Sequence, residues 1–352
     1  MEALRIRLDR LGRPLRFMEV CGTHTHAFSS TGLRYLLEGR LELRSGPGCP
    51  VCVTSAADVG RALYLARRSD VILCTYGDMM RVPGGGSSLA SERARGADVR
   101  VVYSAADALD IADQARERRV VFLGVGFETT APALALALEK ARESGADNFR
   151  VLSLQKTLPG ALVSLLTSGD IGLDGLILPG HVATVVGRSA FDFVAADLGL
   201  AAAVVGFAPI DLLAGLLRLV DGVAEGERRV DNAYPRAVRE GGNPHARALV
   251  AKYFRPVSAE WRGLGVVPGS GLGLRGDFAE YDAADMIPRD LEPAGDPPEC
   301  RCADVLTGSM MPRECPLFGG ACTPGDPVGP CMVSSEGACA AHYRYSGGAD
   351  RG

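Results

Sequence analysis

The chemistry of this 352-residue chain is concentrated in ten cysteines, which fall into two groups with none between 75 and 299. A secreted disulfide scaffold would be small and would spread its bridges along the chain. One separate C-x-x-C motif and one dense late group instead indicate metal and thiol chemistry. The early cysteines are Cys21, Cys49, Cys52 and Cys74, and the late ones are Cys300, Cys302, Cys315, Cys322, Cys331 and Cys339.

The segment MEVCGTHTH (18–26) follows an apolar run directly and is predicted to open a helix. Open α/β sheets bind ligands at this position, beyond the carboxyl ends of their strands. A cysteine at a helix N-terminus faces free N–H groups and the positive end of the helix dipole, so we expect a lowered pKa and a thiolate at Cys21. His24 lies within one helical turn and could ligate or hydrogen-bond beside the sulfur. The alternative is a small buried cysteine with capping threonines.

Cys49 and Cys52 form a C-x-x-C motif flanked by glycine and proline in GPGCPVC (46–52). Such a pair in a loop that opens a helix suits reversible disulfide formation. Two cysteines could also supply half of a tetrahedral zinc site. The chain has no second C-x-x-C to supply the other half, which favours the redox function.

The six late cysteines follow the pattern C-x-C-x12-C-x6-C-x8-C-x7-C. This pattern lacks the paired knuckles of zinc ribbons and the compact run of small ferredoxins. Thiolates without histidine suit an iron–sulfur cluster, and four of them suffice for [4Fe–4S]. Two cysteines then remain, either for a disulfide or for a place beside the cluster. Zinc stays open as an alternative.

Two glycine-containing turns follow other predicted strands, in GVGFETTAP (124–132) and LPGHV (178–182). The first resembles half of a dinucleotide fingerprint, but the third glycine is absent and Glu128 stands where an anion would bind, which argues against a nucleotide. Glu128 and the threonines after it could instead cap the next helix. His181 could be a ligand, an acid/base group or a structural residue. Cys74 lies inside an apolar strand and is predicted to be a core residue.

Apolar strand candidates alternate with alanine- and leucine-rich helical segments over the first 225 residues, as in parallel sheets covered by helices. We expect two α/β domains, 1–118 and 119–230, because each half then has its own glycine-rich strand ends. Residues 231–352 are richer in Gly, Pro and Tyr and are predicted to form a loop-rich third domain organised by a metal centre. The expected strands are Leu15–Val20, Val71–Tyr76, Val99–Ser104, Val120–Val125, Arg150–Leu154, Gly175–Leu178 and Ala202–Phe207.

The charge and the hydropathy of the chain argue against two classes of partner. The net charge is 38 − 42 = −4 and no basic block is present, which argues against nucleic-acid binding. The first residues carry frequent charges and no apolar region of the kind found in signal peptides. No apolar run reaches the roughly 18–20 residues needed to span a bilayer. We therefore expect a cytoplasmic protein without a nucleic-acid or membrane partner.

Seven motifs occur in an order typical of one family. They are MEVCGTHTH (18–26), SGPGCPVC (45–52), TYGDMMRVPG (75–84), GFETTAP (126–132), PGHV (179–182), WRGLG (261–265) and CPLFGGACTPGDPVGPCMVSSEGACAAHY (315–343). With these motifs the chain resembles the HypD family of [NiFe]-hydrogenase maturation proteins over nearly its whole length. The resemblance implies two similar parallel-sheet (Rossmann-like) lobes, a C-terminal domain with a [4Fe–4S] cluster, and a scaffold on which the Fe(CN)2CO unit is assembled.

The resemblance also implies roles for individual residues. Cys21 would hold the iron while its cyanide and CO ligands are attached, with His24 close by. Cys49 and Cys52 would be the redox-active pair near the cluster. The expected cluster ligands, chosen because they lie in the longest motif, are Cys315, Cys322, Cys331 and Cys339.

Two partners follow from the same resemblance, a small chaperone of the HypC type and a cyanide-donating maturation protein of the HypE type. Iron must stay reduced to take such ligands, and electrons passing from the cluster to Cys49/Cys52 and then to iron at Cys21 would serve this need. Whether such a scaffold is a turnover enzyme stays open. One alternative is a thiol–disulfide oxidoreductase resembling ferredoxin:thioredoxin reductase, and another is a structural zinc protein.

Overall fold

The chain forms two parallel sheets and one antiparallel hairpin in a computed structural model that describes residues 1–169 and 171–345. The first sheet has the strand order β2-β1-β7-β8-β9, the second has the order β4-β3-β5-β6, and β10 pairs with β11. The expected α/β class with two parallel sheets is confirmed. The strands are β1 (Leu15–Glu19), β2 (Leu41–Ser45), β3 (Val71–Thr75), β4 (Val99–Val101), β5 (Arg119–Gly126), β6 (Phe149–Gln155), β7 (Gly175–Pro179), β8 (Ala201–Val205), β9 (Val230–Asn232), β10 (Phe254–Trp261) and β11 (Gly265–Leu274).

Helices connect the strands and cover the sheets. They are α1 (Glu2–Arg10), α2 (Gly22–Ser30), α3 (Leu33–Leu36), α4 (Pro50–Val53), α5 (Ala56–Ala66), α6 (Leu89–Ala94), α7 (Ala105–Gln114), α8 (Ala131–Ser144), α9 (Leu158–Thr167), α10 (Gly180–Val186), α11 (Phe193–Ala196), α12 (Pro209–Glu225), α13 (Pro244–Tyr253), α14 (Cys302–Leu306), α15 (Pro330–Val333) and α16 (Ala338–Tyr345). Short 3-10 turns lie at Gly77–Arg81, Arg188–Phe191, Gly276–Tyr281, Ala283–Met286 and Pro312–Glu314.

The sequence specifies these elements through burial and capping. Every residue of β3, β7 and β8 is buried, because helices cover both faces of a parallel sheet. The Ser55 hydroxyl accepts a hydrogen bond from the N–H of Asp58 and so caps α5. Ser104 and Asp107 form a reciprocal capping box at α7.

A division of the strands between the sheets at 118/119 was expected from the sequence, but the strands do not divide there. β5 pairs with β3 on one side and with β6 on the other, so residues before and after that position share the second sheet. The first sheet combines β1 and β2 with β7, β8 and β9. The chain therefore leaves the first sheet after β2, builds the second sheet, and returns. Parallel pairing joins strands that are distant in sequence, so local patterns do not reveal this partition.

The residues after 230 are rich in loops and short helices, as expected, and they also join the cores of the two sheets. Helix α13 and the β10–β11 hairpin share an apolar core with α7, α8 and the second sheet. The cysteine-rich segment joins a separate core that contains apolar side chains of both sheets. A third core lies between the first sheet and α1, α2 and α12. The late segment is thus packed against both sheets.

Candidate functional site

Cys21 lies at the point of the first sheet where the strand order reverses. From β1 the chain continues to β2 on one side, whereas β7 pairs on the other side. In open parallel sheets, ligands bind beyond the carboxyl ends of the two strands at such a point. Cys21 follows β1 as the N-cap of α2, and His181 follows β7 within α10. The topology therefore brings both side chains to one crevice.

The Cys21 thiol differs from the expected thiolate. Burial, with a smaller contribution from the Glu336 carboxylate, raises the pKa of Cys21 to about 11 against hydrogen bonds from Thr23 and the N–H of His24. The expectation of a lowered pKa was wrong because desolvation outweighs the helix N-terminus. At neutral pH the sulfur carries its proton, which it releases when it binds a metal.

Glu336 is a residue of this crevice that was not predicted from the sequence. The Thr23 hydroxyl donates to Glu336 Oε1 at 2.6 Å. A Cβ on Gly22 would lie 2.6 Å from the Glu336 carbonyl oxygen, so the start of α2 and the late segment touch without a gap. The Ser334 hydroxyl donates to Asp78 Oδ2 at 2.8 Å and so ties the same late segment to the 3-10 turn at Gly77–Arg81. The position of Glu336 inside the longest motif was the available signal.

His24 is buried within one turn of Cys21, but its ring is held by the end of β8. Its Nε2 lies 3.1 Å from the carbonyl oxygens of both Val205 and Gly206, so this nitrogen carries the proton. Burial lowers the pKa of His24 to about 4 and keeps the ring neutral. Among the described residues, Nδ1 has no hydrogen-bond partner. The ring stacks on Phe207 at 4.6 Å between centroids.

His181 presents an exposed imidazole to the same crevice. Its ring stacks on Phe207, as the ring of His24 does, at 4.0 Å between centroids. Burial lowers the pKa of His181, and the negative charge of Glu336 opposes this effect. Both rings are therefore neutral near pH 7, and a neutral imidazole is a ligand for iron.

The Cys49–Cys52 pair lies against Cys21. Cys49 is the N-cap of α4, the two cysteines form a disulfide, and the N–H of Cys52 donates to Cys49 Sγ at 3.2 Å. The N–H of Gly22 donates to the Gly48 carbonyl at 2.9 Å. A Cβ on Gly48 would overlap the backbone of Cys21, so only glycine permits this approach. Helix α4 also packs on β5 of the second sheet.

The late cysteines gather around one pocket. The residues that line it include Leu317, Phe318 and Met332 together with six cysteines. Cys302 and Cys331 are joined in a disulfide. Cys331 was expected from the sequence to be a cluster ligand, but in this disulfide its sulfur is not free. The spacing could not reveal this pairing, because it depends on how α14 meets α15. The free thiols at the pocket are Cys300, Cys315, Cys322 and Cys339.

The four free thiols fit an iron–sulfur cluster. Burial raises the pKa of Cys339, and the charges of Cys322, Cys300 and Cys315 raise it further. Four thiolates around one pocket would repel one another, and the irons of a bound cluster would supply the positive charge that holds them together. No three His, Cys, Asp or Glu side chains in residues 1–169 and 171–345 converge on a single ion. A [4Fe–4S] cluster places each cysteine on a separate iron, so its ligands stand further apart.

The Cys49–Cys52 pair (the dithiol, oxidised here to a disulfide) lies next to this pocket. Cys52 Sγ is 3.9 Å from the carbonyl oxygen of Pro330, which precedes Cys331. Cys49 and Cys52 share their apolar core with Cys302, Cys331 and Met332. The structure thus places the dithiol between Cys21 and the late cysteines. Cys74 is fully buried in β3, as expected of a core residue.

Comparison with known proteins identifies the family. A model of the HypD proteins, described as the hydrogenase formation hypA family, matches residues 1–346. The chain belongs to the HypD family. Three similar relatives carry the name hydrogenase maturation factor HypD. The protein from Cupriavidus necator is 45% identical over 345 residues, which cover 96% of this chain and 91% of that protein.

The other two relatives show a similar level of identity. The protein from Rhizobium leguminosarum is 46% identical over 341 residues, covering 95% of this chain and 89% of the relative. The protein from Escherichia coli is 45% identical over 350 residues, covering 98% of this chain and 94% of the relative. None of the helices in the described part of this chain has the length and apolarity needed to cross a bilayer.

Proposed function

We propose that the chain is a cytoplasmic maturation factor for [NiFe]-hydrogenase that holds iron at Cys21 while cyanide and CO are attached. The observation that carries this proposal is the contact between the Cys21 backbone and the Gly48–Cys49 turn, where no side chain separates them. Iron held by Cys21 is therefore adjacent to a pair of cysteines that can store electrons. Soft thiolates suit low-spin iron with such ligands.

The residues of the crevice have distinct tasks in this proposal. The Cys21 sulfur binds the iron substrate and gives up its proton on doing so. Glu336, in electrostatic contact with that sulfur, accepts the proton or passes it on. The neutral His181 ring faces the crevice and supplies a nitrogen ligand. His24 positions the Phe207 ring, on whose faces both imidazoles stack.

The dithiol handles electrons and protons next to the iron. The Cys49–Cys52 disulfide becomes two thiols by taking up two electrons and two protons. On reoxidation the two thiols return these electrons and protons to a neighbouring group. Cys300, Cys315, Cys322 and Cys339 would hold a [4Fe–4S] cluster, which supplies electrons singly when bound. This ligand set contains Cys300 in place of Cys331, which was expected from the sequence.

The proposal includes two protein partners. A small chaperone of the HypC type would share the iron with Cys21, and a cyanide-donating protein of the HypE type would deliver cyanide to it. Both would approach the exposed side of the crevice, where His181 lies. A thiol–disulfide oxidoreductase is the second candidate, favoured by the position of Cys52 beside the late cysteines.

Infrared spectroscopy tests the proposal. We expect the full chain, purified without oxygen from cells that produce the chaperone, to show Fe–cyanide and Fe–CO bands. Cys21→Ser should abolish these bands and hydrogenase maturation, because the ligand sulfur is gone. Cys74→Ser is the matched control, since it changes a buried cysteine outside the crevice. Bands of wild-type intensity in the Cys21 variant would refute the role of this sulfur, and their absence from the wild type would favour the oxidoreductase.

Iron and sulfide analysis tests the ligand set. Serine at Cys300, Cys315, Cys322 or Cys339 should each lower the content from about four irons and four sulfides per chain. Serine at Cys302 or Cys331 should leave the cluster in place, because these cysteines bond to each other. Visible absorption of anaerobic protein measures the same loss. Retention of the cluster in Cys300→Ser together with its loss in Cys331→Ser would restore the original assignment.

A further inference from the structure

The turn between β10 and β11 inserts a buried arginine between the dithiol and the late cysteines. Arg262, Gly263 and Leu264 form this turn, and the Arg262 side chain is 1% exposed. Gly263 has a φ of +86°, and a Cβ there would lie 2.9 Å from the Ala303 carbonyl oxygen. Ala303 follows Cys302 directly. The turn is therefore in contact with the segment that lines the cysteine pocket.

The arginine bonds to the residues on both sides of it. Its backbone N–H donates to the Val53 carbonyl at 2.9 Å, and Nε and Nη2 donate to the Thr54 carbonyl at 3.1 and 3.0 Å. These carbonyls follow Cys52 at the end of α4. Nη1 forms an ion pair with Asp296, four residues before Cys300. One guanidinium thus ties the dithiol helix to the segment that enters the pocket.

The buried group keeps its charge. Burial lowers the pKa of Arg262 to about 10, and Cys300, Glu260 and Asp58 act in the opposite direction. The guanidinium is therefore positive at neutral pH. A buried charge acts on its neighbours more strongly than an exposed one, because little water screens it. Its ion-pair partner Asp296 is 40% exposed and so compensates the charge only in part.

We propose that the charge of Arg262 raises the reduction potential of the cluster at the Cys300 pocket, with Asp296 as the counter-charge that limits the effect. The inference rests on the cluster of the proposed function. A cluster gains one negative charge on reduction, and a fixed positive charge nearby stabilises that state. Arg262 acts through its field and does not exchange electrons itself. It therefore sets how easily electrons collect beside Cys49 and Cys52.

A redox titration of the anaerobic full chain, followed by the visible absorption and electron paramagnetic resonance of the cluster, tests this inference. Arg262→Gln should make one-electron reduction at least tenfold less favourable, which equals 59 mV. Arg262→Lys keeps a positive charge and should retain most of the potential. Asp296→Asn removes the counter-charge and should shift the potential upward. Arg67→Gln is the control, because Arg67 is half exposed in an ion pair with Glu92.

Opposite shifts in Arg262→Gln and Asp296→Asn are the signature of a charge effect, since a loss of packing would move both in one direction. Unchanged potentials, or shifts of the same sign, would overturn the inference while leaving the cluster itself intact. If Arg262→Gln does not retain the cluster, Asp296→Asn decides, because an upward shift supports the inference and an unchanged or lowered potential overturns it. A wild-type chain without iron and sulfide would instead refute the cluster of the proposed function, and this inference with it.

Discussion

Burial controls the ionisable groups of the crevice more than their local sequence does. The pKa of Cys21 is raised and that of His24 is lowered, and in both cases desolvation is the largest cause. The sequence identified both residues, because a strand followed by Cys and His is a local pattern. It did not reveal their protonation states or the nearby Glu336, which is 315 positions away from Cys21 in the chain. Long-range packing determines those properties.

Glu128 gives a test of burial at a single side chain. It is buried two residues after the end of β5, accepts a hydrogen bond from the N–H of Leu158 at 2.9 Å, and has a second oxygen without a partner among the described residues. Burial raises its pKa from 4.5 to about 7. The folded state therefore binds more protons than the unfolded state between these values, and stability falls as pH rises through this window.

Replacing Glu128 by Gln should remove this pH dependence. At about 1.4 kcal/mol per pKa unit, the wild type should lose up to roughly 3 kcal/mol between pH 4.5 and 7 relative to the variant. Urea unfolding at a series of pH values measures the difference, and all other titrating groups cancel in the comparison. Glu314→Gln, at an exposed carboxylate, is the control. Parallel stability curves for wild type and Glu128→Gln would show that the carboxyl is not desolvated.

At the scale of elements, the sequence predicted best the strands that are buried on both faces. The expected strands at 71–76 and 120–125 are mostly apolar, and they coincide with β3 and β5 of the second sheet. The strand β2 was missed because it lies at a sheet edge, where its residues alternate between buried and half-buried. The hairpin β10–β11 was missed because its glycines and exposed residues give no continuous pattern. Such elements depend on tertiary contacts for their stability.

The turn before α4 gives a prediction about how two elements meet. Gly48 lies so close to the strand end at Val20 and Cys21 that a Cβ would overlap their backbone atoms, which no side-chain rotation relieves. We expect Gly48→Ala to destabilise the protein by about 1–3 kcal/mol and to separate the dithiol from Cys21. Gly276→Ala is the matched control, because nothing lies within 4 Å of its Cβ position and its φ is not positive.

Two measurements follow this substitution. Chemical unfolding gives the loss of stability, and the Fe–cyanide infrared intensity gives the effect on the iron site. Both should fall in Gly48→Ala and stay near the wild-type values in Gly276→Ala. Equal effects of the two substitutions would show that the close approach at Gly48 has no special importance.

At the scale of the whole molecule, the crossings between the sheets explain where the site lies. The chain passes from β2 to the second sheet through the segment that carries Cys49 and Cys52, and this crossing runs beside the strand end that carries Cys21. The late cysteines then close over the dithiol from a core shared by both sheets. Three thiol sites from distant parts of the sequence meet because the first sheet is discontinuous in the chain.

This discontinuity predicts the behaviour of fragments divided at 118/119. The fragment 1–118 contains β3 and β4 without β5, which is central to their sheet, and contains β1 without its partner β7. The fragment 119–352 contains β5 without its partner β3 and β7 without its partner β1. Because each half exposes the apolar faces of two incomplete sheets, neither should unfold cooperatively in urea when followed by circular dichroism, whereas the full chain should. Mixing or co-producing the halves should restore a cooperative transition. A cooperative transition in each isolated half would instead show that the two halves are independent domains, as the alternation of strands and helices in the sequence first suggested.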